Sequence, residues 1–169
     1  MVAHSLKGLF LLFLTVLSGC SSFTRFMIVN RTNASLMVSY GPPVGFFDLN
    51  GEKFENCFED DIGSAYFPEV IESSRIEAHY SEWRKLTSDE YSCDFESRTI
   101  SFELRSGQAV QIATVFDHLE FREFDSEEFG IRTLELEGIK GNVAFEAEQI
   151  PEAFDKKNIF GTISYLEYD

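Results

Sequence analysis

Residues Ile100 to Phe116 constrain the fold more than any other stretch of the chain. Ile100, Phe102 and Leu104 alternate with Ser101 and Glu103, the chain turns at Ser106-Gly107, and a second apolar run returns through Ala109 to Phe116. Successive side chains of a strand point to opposite faces, so this period of two sets an apolar face against a core and a polar one toward water. The spacing predicts a two-stranded hairpin. A hairpin alone is marginal in water, so other strands must complete the core.

The same signal recurs at short intervals. Phe26 to Asn30 and the set Leu36, Val38, Tyr40 read as two strands separated by the polar turn Arg31 to Ala34. Gly41-Pro42-Pro43 breaks the pattern, and Val44 to Leu49 leads into Asn50-Gly51, a pair that tolerates the positive φ angles of a tight hairpin turn, with Lys53 to Phe58 as the return arm. Residues 59 to 74 read as a long loop. Ser74 and Glu77 could form a capping box with Ile76, Tyr80 and Trp83 on one helical face, but Ile76, Ala78 and Tyr80 also alternate, and between β neighbours the strand reading is favoured for 74 to 86. Leu119 with Phe121, Ile131 to Leu136, Val143 to Ala147 and Ile159 to Tyr168 supply further strands, with one helical turn expected at Ile150-Pro151-Glu152-Ala153-Phe154, where proline suits the first helical position. Many short strands at about twelve-residue spacing imply an antiparallel sandwich or a barrel. The uneven spacing favours an all-β, Greek-key sandwich of immunoglobulin- or transthyretin-like type over an up-and-down barrel.

The first twenty residues carry a different message. Lys7 gives a short n-region one fixed positive charge, Gly8 to Leu17 are an apolar run of ten, and Leu17-Ser18-Gly19-Cys20 ends it. Crossing a hydrocarbon core about 30 Å thick takes roughly 20 apolar residues of helix, so this run is a signal-peptide h-region and not a membrane span. The segment resembles the lipobox of bacterial lipoproteins. The resemblance implies cleavage before Cys20, a diacylglyceryl group on its thiol and an acyl chain on its new N-terminus. It also implies three parts: residues 1–19 as signal peptide, 20–25 as lipidated cysteine and short tether, and 26–169 as one β-sandwich domain. In Gram-negative lipoproteins an aspartate after the cysteine favours retention in the inner membrane; here the residue is Ser21, which points to the periplasmic face of the outer membrane. The targeting segment assigns a location and a membrane contact through lipid, but no activity.

An exported chain meets an oxidising compartment, and with Cys20 taken by lipid, Cys57 and Cys93 are expected to pair with each other. Closing that loop of roughly 37 residues contributes about 4 kcal/mol in the chain-entropy model. A zinc site is the competing reading, but the two cysteines are not in a C-x-x-C pair and no histidine lies near either in sequence.

Charge narrows the partners. The chain carries a formal net charge of −15, and removing residues 1–19 deletes one lysine and no acid, which makes it −16. Such a surface repels phosphate, so nucleic acid is not an expected partner, whereas a basic envelope protein is. Acids cluster at Asp48, Glu52, Glu55, Glu59, Asp60 and Asp61, and again at Asp117, Glu120, Glu123, Asp125, Glu127 and Glu128. Calcium takes six to eight oxygen ligands. Asp60, Asp61, Asp125 and Glu127 are therefore weak calcium candidates, although the glycine after Asp48 and Asn50 falls too early for an EF-hand loop.

Catalytic patterns are sparse. Glu127 and Glu128 are neighbours on one charged stretch and offer no contrast of environment for an acid and a base. Asp117-His118 lacks a G-x-S-x-G serine elbow, there is no H-E-x-x-H, and no cofactor motif is present. His79, Tyr80 and Trp83 could line an aromatic surface for peptide or sugar, though such groups more often pack in a core. The expectation is a non-enzymatic binding or assembly module without a cofactor, directed at a cationic partner. The alternative is a calcium- or small-ligand-binding domain that uses the acidic loops.

Overall fold

The structure is a computed structural model, and it describes residues 22–42, 67–76, 82–117, 130–154, 156–157 and 163–169. Among the described residues eleven strands form two sheets: β1 (Ser22–Asn30), β2 (Leu36–Gly41), β3 (Glu69–Glu72), β4 (Arg84–Lys85), β5 (Tyr91–Asp94), β6 (Thr99–Leu104), β7 (Gln108–Asp117), β8 (Thr133–Gly138), β9 (Gly141–Glu146), β10 (Lys156–Lys157) and β11 (Ile163–Tyr168). A short helix, α1 (Ile150–Ala153), carries Pro151 in its first turn, as the sequence predicts. The six-stranded sheet has the order β10-β11-β1-β7-β3-β4 and the five-stranded sheet β5-β6-β2-β8-β9. This is an all-β sandwich. Pairing is antiparallel except between β1 and β11, which run parallel from Arg25 opposite Ile163 to Asn30 opposite Tyr168.

The core lies between the sheets. Phe26 and Ile28 from β1, Leu36, Val38 and Tyr40 from β2, Ile100, Phe102 and Leu104 from β6, Val110, Ile112 and Ala113 from β7, and Leu134 and Leu136 from β8 are all buried there. Ile150 and Phe154, at the two ends of the α1 turn, join the same core, with the Phe154 ring edge-on to Phe26 at 5.6 Å. Between Phe26 and Met27 the β1–β7 register slips by one residue. This bulge lets Ile112 and Ala113, adjacent in sequence, both join the core.

Pairing corrects the expected hairpin. The strands 99–104 and 108–117 form where the alternation places them, but β6 belongs to the five-stranded sheet and β7 to the six-stranded one. The turn between them is an arch across the sandwich. Alternation could not distinguish the two, because a hairpin and an arch both send the apolar sides of their strands into one core. The β1–β2 connection is a second arch, and the two are tied to each other. Asn30 Nδ2 donates to Leu104 O (2.9 Å) and Ala34 O (2.8 Å), its Oδ1 accepts from Thr32 N (3.0 Å) and Thr32 Oγ1 (2.8 Å), Gly107 N donates to Asn30 O (3.1 Å), and Ser106 Oγ donates to Thr32 O (2.6 Å). Gly107 sits at φ 73°, a conformation that glycine adopts without a Cβ clash.

Three further expectations change. β1 starts at Ser22, so residues 22–25 of the expected tether are strand, with Ser22 opposite Asp117. Polar Ser22, Thr24 and Arg25 hid it, although Thr24 is buried. Within the expected loop 59–74, Glu69–Glu72 is strand β3, whose Val70 faces the main core while Ile71 faces a second apolar cluster. A strand covered on both faces shows no alternation. The favoured strand over 74–86 reduces, among the described residues, to a 3₁₀ turn at Ser73–Arg75, a turn at Ile76 and the two-residue β4. Strand β5 was not anticipated, since Tyr91-Ser92-Cys93-Asp94 is too polar to stand out. The expected strands at 44–49, 53–58 and 119–121 lie outside the described residues.

Candidate functional site

A sheet whose strands each bury alternate residues must present the others together on its outer side, and the register decides which of them are neighbours. On the outer face of the five-stranded sheet, Met37 stands between Glu103 on β6 and Glu137 on β8. Ser39 stands between Ser101 and Glu135, Ser101 also faces Ser92 on β5, and Thr99 faces Asp94. Beyond β8, Asn142, Ala144 and Glu146 of β9 continue the rows of Glu137, Glu135 and Thr133. Glu103, Glu135, Glu137, Glu146 and Asp94 are all exposed. No strand position on this face holds a lysine or arginine, and none of its glutamates has a salt bridge among the described residues.

Two features make the face more than a solvated edge of strands. Met37, on the central strand β2, is an apolar side chain left 42% exposed, with a carboxylate on either side. A hydroxyl pair beside it, Ser39 Oγ and Ser101 Oγ at 2.7 Å, stiffens the centre of the sheet. Together they combine negative charge, hydrogen-bonding groups and one apolar anchor on a rigid support. That combination suits a basic protein surface.

At the proximal end of β5, Asp94 is held differently. Its Oδ1 accepts from Glu96 N (2.9 Å) and Ser97 N (3.2 Å), and hydrogen bonds from Ser97 above all hold its carboxyl below the usual range. It is therefore committed to the β5–β6 turn. The Tyr40 phenol faces the opposite, buried side, where desolvation first and Tyr91 second push it well above its ordinary value. That environment favours the neutral phenol.

The remaining candidates are distributed as follows. Cys93 projects from β5 toward the main core and is disulfide-bonded. Cys20 and Cys57 lie outside the described residues, as do Asp60, Asp61, Asp125, Glu127, Glu128, His79, Tyr80 and His118. Asp117 is the last residue of β7. Trp83 does not line a surface for ligand: it is buried with Met27, Val29, Ile71, Ala109 and Ile163 in the second cluster, on the other side of β1, β7 and β3 from the main core, with the Arg25 guanidinium 5.5 Å from its ring centre. Among the described residues no group of three or more metal-ligating side chains comes together, and no helix is long and apolar enough to cross a membrane.

The acidic face went unnoticed in the sequence. Its glutamates were visible as the polar partners in the alternations of 100–104 and 131–136, but the order β6-β2-β8 that sets them side by side is a property of the fold. Comparison of the chain with models of known protein families, with curated proteins and with solved structures found no match.

Proposed function

We propose that the chain is a lipid-anchored envelope protein that works without catalysis as a binding or assembly module for a cationic protein, using the outer face of the five-stranded sheet. The observation that carries this reading is the uncompensated carboxylate set Glu103, Glu135 and Glu137 around the exposed Met37. An uncompensated acidic patch draws a basic surface at long range, and an apolar group at its centre holds the surface at contact.

The anchor belongs to the same reading. With Cys20 acylated, a single residue would separate the lipid from the first residue of β1. Nine residues of strand at about 3.3 Å each reach roughly 30 Å, so the turns beyond Asn30 would stand about that far from the bilayer while the sheet faces look sideways into the periplasm. Three acyl chains, each methylene contributing about 0.8 kcal/mol, would hold the protein at the outer membrane. Cys57 would complete the disulfide of Cys93 and tie the preceding region to β5.

The test pairs the intact chain with a variant carrying Glu103→Gln, Glu135→Gln and Glu137→Gln. Each is challenged with envelope extract and with two purified globular proteins of like size, one strongly basic and one acidic. Retention of basic proteins by the intact chain, release by added salt and loss in the variant are the expected results. Equal retention by the variant, or binding that salt does not weaken, overturns the assignment. The anchor is tested separately: mass spectrometry of the N-terminal peptide should find acylated Cys20, and Cys20→Ser should move the protein to the aqueous phase.

A further inference from the structure

Among the described residues each sheet ends in strands that no further strand pairs, and such edges are ordinarily blunted by shortness, charge, proline or a bulge. Three of the four are short: β4 and β10 have two residues each and β5 has four. The fourth, β9, has six residues in unbroken register with β8, from Gly138 opposite Gly141 to Thr133 opposite Glu146. On its other side no described strand pairs with it. It contains no lysine, proline or bulge, and every residue from Gly141 to Ala144 is exposed.

Both ends of β9 are fixed. At the start, Tyr168 reaches over from β11, where its hydroxyl donates to Gly141 O (2.6 Å) and accepts from Lys140 N (3.2 Å). At the finish, Gln149 Oε1 accepts from Glu146 N (3.1 Å). Between them the strand keeps unbroken register with β8 and is paired by no described strand on its other side. An edge prepared in this way gives backbone hydrogen bonds to an incoming strand with little ordering of its own.

The geometry points to strand addition at β9 by an extended segment in which apolar residues alternate with lysine or arginine. On the core-facing side, Val143 (42% exposed) and half-buried Phe145 lie opposite Leu136 and Leu134, so an added strand would continue an apolar row. On the outer side, Glu146 stands on β9 itself and Glu135 and Glu137 stand one strand behind Ala144 and Asn142, so alternate residues of the added strand face one carboxylate directly and two across β9. A second copy of this chain is the wrong occupant. It would bring the same glutamates against these in a protein of net charge −15. The inference rests on the proposed cationic partner and states how that partner is gripped.

The experiment uses the full-length chain in detergent and three eight-residue peptides: alternating valine and lysine, the same peptide N-methylated at alternate residues, and alternating valine and glutamate. The readout is hydrogen exchange at the amides of residues 141–146. The valine–lysine peptide should slow exchange at β9 by about tenfold or more, the N-methylated and glutamate peptides should not, and Val143→Lys, a charge placed on the exposed edge, should abolish the effect. If the peptide binds equally well when N-methylated and β9 stays unprotected, strand addition is overturned while the cationic-face reading stands. If neither lysine peptide protects β9, strand addition falls, and the capture experiment judges the parent reading separately. Protection of β9 that grows with protein concentration in the absence of peptide would assign the edge to a second copy and also overturn the inference.

Discussion

Met27, Val29, Ile71, Ala109 and Ile163 line the outer face of the six-stranded sheet, and the chain packs Trp83 and Ile76 against them. The corresponding face of the five-stranded sheet carries Met37, Ser39, Ser101, Glu103, Glu135 and Glu137, and its charged residues are open to water. The two sheets share one core, yet only one needed a second. A face that the chain covers must be apolar to contribute stability, whereas an uncovered one is free to carry charge at little cost. The covered face therefore records folding, and the open face is where a binding role can be carried without loss of the fold.

The sharpest way to break this comparison is to delete a large side chain from each face. Trp83→Ala should destabilise by about 3–5 kcal/mol, the range for emptying a buried tryptophan site, and Met37→Ala should stay within about 0.5 kcal/mol, as surface changes do. Urea denaturation of the two variants reads both. A Met37→Ala cost approaching that of Trp83→Ala would mean that the five-stranded face is covered after all.

Asn30 comes next, because it belongs to neither face and ties the two arches that connect the sheets. Replacing it with alanine removes two donated and two accepted hydrogen bonds and leaves the buried carbonyl of Leu104 without its amide partner. At about 1 kcal/mol per net bond plus the desolvation left behind, Asn30→Ala should cost roughly 2–4 kcal/mol in the same assay, and Asn30→Asp should recover little of it, since a carboxylate cannot donate to Leu104 O. A cost below about 1 kcal/mol would show that the arches hold without this link.

The same contrast between faces explains what could be read in advance. β2, β6 and β8 bury one side only, so their alternation was clean and their residues fell where period two placed them. β1 and β7 also face the second cluster, and only their strongest apolar stretches stood out; β3, with Val70 facing one core and Ile71 the other, looked like loop. Trp83 was visible as an aromatic residue but not as the lid of a sheet. Pairing was the least legible, because the turn after β6 is an arch tied to Asn30 and Thr32, 74 residues away in sequence. For the acidic face, each glutamate could be placed on a solvent side and none could be placed beside another.

The smallest effect concerns a carboxylate that does have a partner, in contrast to those around Met37. Arg84 on β4 forks onto Glu90, with Nη1 to Oε2 at 2.5 Å and Nη2 to Oε1 at 2.9 Å, and Thr87 N and Oγ1 both donate to Oε2 at 2.9 Å. The Arg84 hydrogen bond first, and those from Thr87 second, bring the Glu90 carboxyl down from 4.5 to about 2. A carboxyl depressed in the folded state contributes stability above its unfolded value, and that contribution is lost as the pH falls from about 4.5 toward 2. The pair is substantially exposed, 53% for Arg84 and 31% for Glu90, so solvent screening keeps its worth below about 1 kcal/mol. Glu90→Gln, which keeps the shape and removes the charge, should therefore cost less than about 1 kcal/mol at pH 7, and the difference from the parent chain should shrink between pH 5 and about pH 3. Glu137→Gln, which breaks no salt bridge among the described residues, should change stability by less than about 0.5 kcal/mol at pH 7. A loss for Glu137→Gln as large as that for Glu90→Gln would reveal a hidden cationic neighbour, and the open face would then no longer be the uncompensated one.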